Sequence, residues 1–272
     1  MIISLEDYHF YLNFLKELRE KMKSHLYRIS KSKLSLLIFC IVLLIPCIDI
    51  FLLLSTHTMY HPAFAFFLSG TSRGHAAQSL LLWFLPLYFL LLCSDDSIQD
   101  YKTGYRYILI SKVGKTKYCL EKIFTSFIVS FLTMFLSLVI NFILAKIFFF
   151  NGSFKNDLDQ ISLPDNFLYT VSMDHPYLAI MFFSIICCIL AGFSGALGAS
   201  ISLFFLNKKY AYTTCFFIWF TLVLKKESLM YLFQPFTEYG FDVFLPIFIF
   251  SVSVFLLIII IITIYEAKFN EN

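Results

Sequence analysis

Polar and apolar residues separate along this chain into long blocks and do not alternate at short range. Apolar runs cover 34–54, 76–93, 123–150, 177–206 and 243–265, and a shorter one covers 211–224. A helix needs about 20 apolar residues to cross the hydrocarbon core of a bilayer, so the first five runs read as membrane spans. The sixth, 211–224, either begins a residue or two earlier or is a span backed by a re-entrant segment. The predicted fold class is all-α: a polytopic membrane protein with six transmembrane helices. A single membrane domain over 34–272 would follow a cytoplasmic segment over 1–33. No internal repeat or Gly/Ser-rich linker divides the chain, and the longest polar stretch on the opposite side, 151–176, is too short for a domain.

Ahead of the first span, Leu5, Tyr8, Leu12, Leu15, Met22, Leu26 and Ile29 recur at helical spacing, with Lys16 and Lys23 on the other face. This pattern predicts an amphipathic helix over 5–29. It would lie along the membrane surface with its basic side toward anionic headgroups, or pack on a partner protein. The apolar run that follows is too long for a signal-peptide core and carries no small-residue cleavage site, so it is expected to be retained as a span.

Composition supports lipid as the main solvent. Hydrophobic residues make up 59% of the 272 and charged residues 14%, against about 25% charged in a soluble domain. The net charge of +3 is too small to point to nucleic acid. Its distribution says more. Sixteen of the 21 lysines and arginines fall before the first span, between spans two and three, after span four, or in the tail. Arg73, Lys155, Lys225 and Lys226 fall on the other side, and Lys146 within span three. Positive loops stay inside, so both termini are expected to be cytoplasmic, in a multi-pass protein of the cell membrane. The seven cysteines avoid the predicted external loops, which argues against a disulfide framework.

Few residues suggest chemistry. Gly114-Lys115-Thr116 resembles the end of a phosphate-binding loop, but position 109 is leucine where that loop needs glycine, and no strand precedes it. His57 and His61 share a helical spacing yet lack a third ligand, so no metal site is expected. No HExxH, GxSxG or paired intramembrane carboxylate is present. Asp49 and Lys146 are the ionisable residues most clearly within apolar runs. At such depth they are expected to face a bundle interior or a wet cavity, or, for Lys146, to snorkel to the outer interface. Ala191, Gly195 and Ala199 form a small-residue stripe that permits close helix packing, within the chain or between subunits.

The segment 95–122 mixes Asp95, Asp96, Asp100 and Glu121 with lysines, Tyr101, Tyr105, Tyr107 and Ile108, a blend suited to docking a protein. Here the chain resembles the permease subunits of ATP-binding-cassette (ABC) transporters of the type-2 exporter class. The resemblance lies in Pro86-Leu87, then Asp100-Tyr101-Lys102-Thr103-Gly104, then Tyr107-Ile108-Leu109-Ile110-Ser111-Lys112, then Lys117-Tyr118 and Lys122. In that family an acidic residue stands four before a glycine, where glutamate is commoner than the aspartate found here.

The resemblance implies that 100–112 is a coupling helix seated in a separate ATPase subunit. Asp100, Gly104, Tyr107, Leu109, Lys112, Lys117, Tyr118 and Lys122 would carry the contact, and Lys208 and Lys209 a second, smaller one. The N-terminal helix would be a connecting helix, and 225–239 would hold short external or re-entrant helices. ATP and magnesium would sit on the partner subunits, with no cofactor on this chain and no catalytic site of its own. The expected partners are ABC ATPase subunits, a second permease copy (identical or paralogous) and membrane lipids. An amphipathic cargo, such as an antimicrobial peptide, suits the 35 phenylalanines and 16 tyrosines. Two rivals remain at this level: a membrane immunity or sensor protein that binds a peptide without an ATPase, and a membrane enzyme with an unrecognised site.

Overall fold

A computed structural model describes residues 25–55, 60–71, 75–152, 166–237 and 239–268. Most of the predicted amphipathic helix over 5–29 lies outside these residues; residues 25–31 are helical. Ten α-helices follow among the described residues: α1 (Lys33–Leu54), α2 (Ala76–Trp83), α3 (Leu85–Cys93), α4 (Asp95–Lys102), α5 (Tyr105–Val113), α6 (Lys115–Phe148), α7 (Phe167–Asp174), α8 (Pro176–Phe204), α9 (Lys208–Leu224) and α10 (Phe241–Lys268). Two 3-10 turns, Phe67–Ser69 and Leu229–Phe233, complete the set, and no strand occurs among the described residues.

Four helices, α1, α6, α8 and α10, are long and apolar enough to cross a membrane. The run 76–93 is not one straight span: α2 and α3 meet at Phe84 with a bend of 52°, and together they make a fifth candidate. The short sixth run forms α9, which begins at Lys208 because the Asn207 side chain accepts from the Lys209 amide at its N-terminus. Its 17 residues reach about 25 Å, just under the roughly 30 Å of a hydrocarbon core. The described structure therefore shows an all-helical chain with four to five candidate spans.

The largest departure from the sequence pattern is at α6. It starts at Lys115, eight residues before the apolar run, and holds 34 residues. That is about 51 Å of helix, so α6 projects well past the membrane core. The segment 95–122 is accordingly not a loop but α4, α5 and the first turns of α6.

The bundle is built around α8, which packs against α3, α6, α9 and α10. Of its most apolar stretch 61% is buried, against 17% for that of α10. Small residues make this possible. A Cβ added at Gly195 would fall 2.0 Å from Ser130 Oγ and 2.8 Å from the Ser126 carbonyl oxygen of α6, and one at Gly198 would meet Leu90 of α3 at 3.1 Å. Ala191, Gly195 and Ala199 thus lie in a packing seam within the chain, all fully or nearly fully buried.

Proline brings no N–H to the residue four before it, and at Pro46 and Pro86 a neighbouring helix supplies the missing donor. Pro46 releases the carbonyl of Val42, which accepts from Ser137 Oγ of α6 at 2.8 Å. Pro86 releases that of Leu82, which accepts from Trp219 Nε1 of α9 at 3.0 Å. Such substitution from a neighbouring helix is how a broken ladder survives away from water. Nearby, Asn141 of α6 donates to the Pro46 carbonyl at 2.7 Å and accepts from the Phe67 amide at 3.0 Å, tying α1 to the first 3-10 turn.

Candidate functional site

At one end of the bundle, α4 and α5 form an elbow. Helix α4 ends at Lys102, and the chain turns through Thr103 and Gly104. Gly104 has φ +74°, in the left-handed region where glycine carries no side-chain penalty. A Cβ there would meet nothing within 4 Å. Backbone conformation, not crowding, therefore requires the glycine.

The inner side of the elbow is ionic. Three aspartates of α4 reach partners on three different segments. Asp95 lies 2.7 Å from Lys208 Nζ and accepts from Tyr212 Oη at 3.0 Å, joining α9. Asp96 pairs with Lys122 of α6 and lies 3.8 Å from Arg28. Asp100 accepts from both terminal guanidinium nitrogens of Arg28, at 2.5 and 2.8 Å. From α5, Arg106 donates to Glu266 near the end of α10 at 2.6 Å and to the Leu203 carbonyl of α8 at 3.2 Å. The elbow is thereby fastened to segment 25–31 and to α6, α8, α9 and α10.

Several of these groups are sealed from solvent. Asp100, Arg106, Lys122 and Glu266 are each 4% exposed or less. A charge this deep holds only if it is paired, and here each one is. Partial burial alone would raise the Asp96 carboxyl; Lys122 and Arg28 outweigh it and hold that group below the usual carboxylate range. The forked hydrogen bonding of Asp100 raises Arg28 above its ordinary value despite its partial burial.

The outer side of the elbow is different in kind. Tyr101, Tyr105, Tyr107 and Ile108 are 38–50% exposed. Tyr101 and Tyr107 approach with ring centroids 6.4 Å apart, and the Arg28 guanidinium sits 5.5 Å from the Tyr105 ring. Lys102 and Lys112 are exposed beside them. A face of tyrosine, isoleucine and lysine above a fixed ionic floor offers apolar area, hydroxyls and positive charge together.

The residues singled out from sequence divide between the two sides. Asp100, Tyr118 and Lys122 are buried in or beside the ionic cluster, with Tyr118 tilted against the His25 ring at 6.0 Å. Tyr107, Lys112 and Lys117 are exposed. Leu109 is half-buried and packs on the Tyr118–Cys119–Ala199 cluster. Lys208 serves the cluster through Asp95, while Lys209 is exposed. The segment 100–112 is two helices meeting at Gly104, not one. Sequence reasoning missed Arg28, Arg106 and Glu266 as partners, having counted the two arginines only as surface charge. Glu266 did carry a signal, as an acid in the last turns of an otherwise apolar helix.

Elsewhere, His61 packs on Phe64 and Tyr177, and His57 lies outside the described residues. No group of three His, Cys, Asp or Glu side chains able to hold a metal ion occurs among the described residues. All seven cysteines are free. Asp49 is buried on α1.

No protein-family model matches the sequence, and no solved structure matches it. A Bacillus subtilis (strain 168) protein described as the uncharacterized protein YybM is 71% identical over 251 residues, spanning 92% of this chain and the whole of YybM. At that identity and coverage, the chain belongs to the same family as YybM.

Proposed function

We propose that the chain is the membrane-spanning permease subunit of an ABC exporter. In this reading it has six spans, with α2–α3 and α9 crossing alongside the four long helices. Both termini and the elbow lie in the cytoplasm. A separate ATPase subunit grips the outer face of the elbow, two permease copies line the pathway, and the cargo is amphipathic. The reading rests on the division within the elbow. Its exposed side carries Tyr101, Tyr105, Tyr107 and Ile108, while its hidden side is tied to the ends of the membrane helices. A push on the tyrosines would reach those helices through the ion pairs, switching the pathway between two packed arrangements.

The test is co-expression with the ATP-binding-cassette subunit encoded nearest to this gene, followed by affinity capture in mild detergent. Ile108→Asp places a carboxylate on the docking face without touching the ionic cluster, and should abolish capture. Capture that is undiminished in Ile108→Asp and in Tyr107→Ala would overturn the reading. So would full peptide resistance conferred by this chain in cells lacking any such ATPase, which is what an ATPase-independent immunity protein predicts.

A further inference from the structure

We infer that the end of the bundle opposite the elbow holds a binding site for one anionic phospholipid, its acyl chain between α6 and α8 and its phosphate on Lys146. A groove of ≈ 270 Å³ runs there between the two helices. Phe135, Val139 and Phe142 line the α6 wall, and Tyr177, Met181 and Ser184 the α8 wall. Binding sites for drug-sized ligands run to about 300–1,000 Å³, so the groove has room for an alkyl chain and little more. From Phe142 to Phe135 it follows α6 for about 10 Å, the direction in which an acyl chain descends from a headgroup.

What marks it off from an ordinary lipid-facing furrow is the cation at its mouth. Lys146 Nζ sits 5.1 Å from the centre of the Phe142 ring and 4.8 Å from that of Tyr177, and both rings line the groove. Two aromatic faces hold the ammonium over the entrance; a merely snorkelling lysine would extend away from it. Lys146 is exposed, and no carboxylate among the described residues pairs with it. Among the described residues the positive charge is thus left for a ligand, and at headgroup depth the complementary ligand is a lipid phosphate with net negative charge. Such a lipid site would be present whether or not the chain transports a cargo.

Native mass spectrometry of the full chain in mild detergent tests it, with dioleoyl phosphatidylglycerol and dioleoyl phosphatidylcholine supplied in equal amounts. The wild type should retain phosphatidylglycerol about fivefold over phosphatidylcholine, the preference that one lysine beside anionic headgroups confers. Lys146→Gln should bring the ratio near one while a lipid is still retained, and Lys146→Arg should keep the preference. Ser184→Phe or Val139→Phe fills the groove and should remove the retained lipid of either kind. An unchanged ratio in Lys146→Gln, or full retention in both filling variants, would overturn the proposal.

Discussion

Arg106 and Glu266 meet at 5% and 1% side-chain exposure, so neither can lose its partner and be rescued by water. Arg106→Met or Glu266→Met alone should lower stability by about 3–5 kcal/mol, because each leaves a buried charge uncompensated. The double substitution Arg106→Met/Glu266→Met should recover most of that loss. Thermal melting of the four proteins in detergent completes the cycle. His25 supplies a second test. It is buried, its Nδ1 has no hydrogen-bond partner, and burial, followed by Lys122 and then Arg28, drives its pKa down to about 3, with only Asp96 opposing. The unfolded chain, with its histidine near 6.5, takes up the proton first. Stability is therefore full above about pH 6.5 and falls as pH drops toward 3, by up to about 1.4 kcal/mol per pH unit. His25→Phe should flatten that slope between pH 6.5 and 5, as seen in melting temperature against pH.

Among the elements, the elbow turns on one backbone conformation. Gly104→Val should cost about 1–2 kcal/mol, the penalty for a left-handed β-branched residue, whereas Gly104→Asn should cost less because asparagine tolerates that region. Equal losses in melting temperature for the two would mean that space, not conformation, demands the glycine. The membrane helices were legible in the sequence because lipid tolerates only long apolar runs, and α1, α8 and α10 begin within two residues of their predicted starts. The seam of Ala191, Gly195 and Ala199 was also legible as a packing device, but the sequence could not say against what. The elbow was harder to read. Residues 115–122 are polar, so hydropathy assigned them to a loop, although the helical ladder of α6 runs on unbroken after it leaves the membrane core. Nor does spacing along the chain show that Arg106 finds Glu266, 160 residues away; that pairing follows from where α8 and α10 end. The break at Phe84 was hidden for a related reason: a bent span and a straight one have the same apolar composition.

For the molecule as a whole, its two ends are held in different ways. The elbow end is clamped by charge, whereas the opposite end packs through rings, such as Tyr60 on Phe149, Phe64 on Phe236 and His61 on Tyr177. Acid or salt should therefore loosen the elbow end first, and amide exchange followed by mass spectrometry should show α4 and α5 opening before the aromatic end. Between the two ends, Pro86 and Trp219 stand in a relation of need and supply. With Pro86 present, Trp219→Phe strands the Leu82 carbonyl and should cost about 1–3 kcal/mol. With Pro86→Ala, residue 86 gains an amide that can turn to the Leu82 carbonyl across the bend at Phe84, and the same loss of the indole should be milder. Evolution faces the same arithmetic: homologues that have shed the ring at position 86 are released from keeping tryptophan at 219, and the two should disappear together down a lineage.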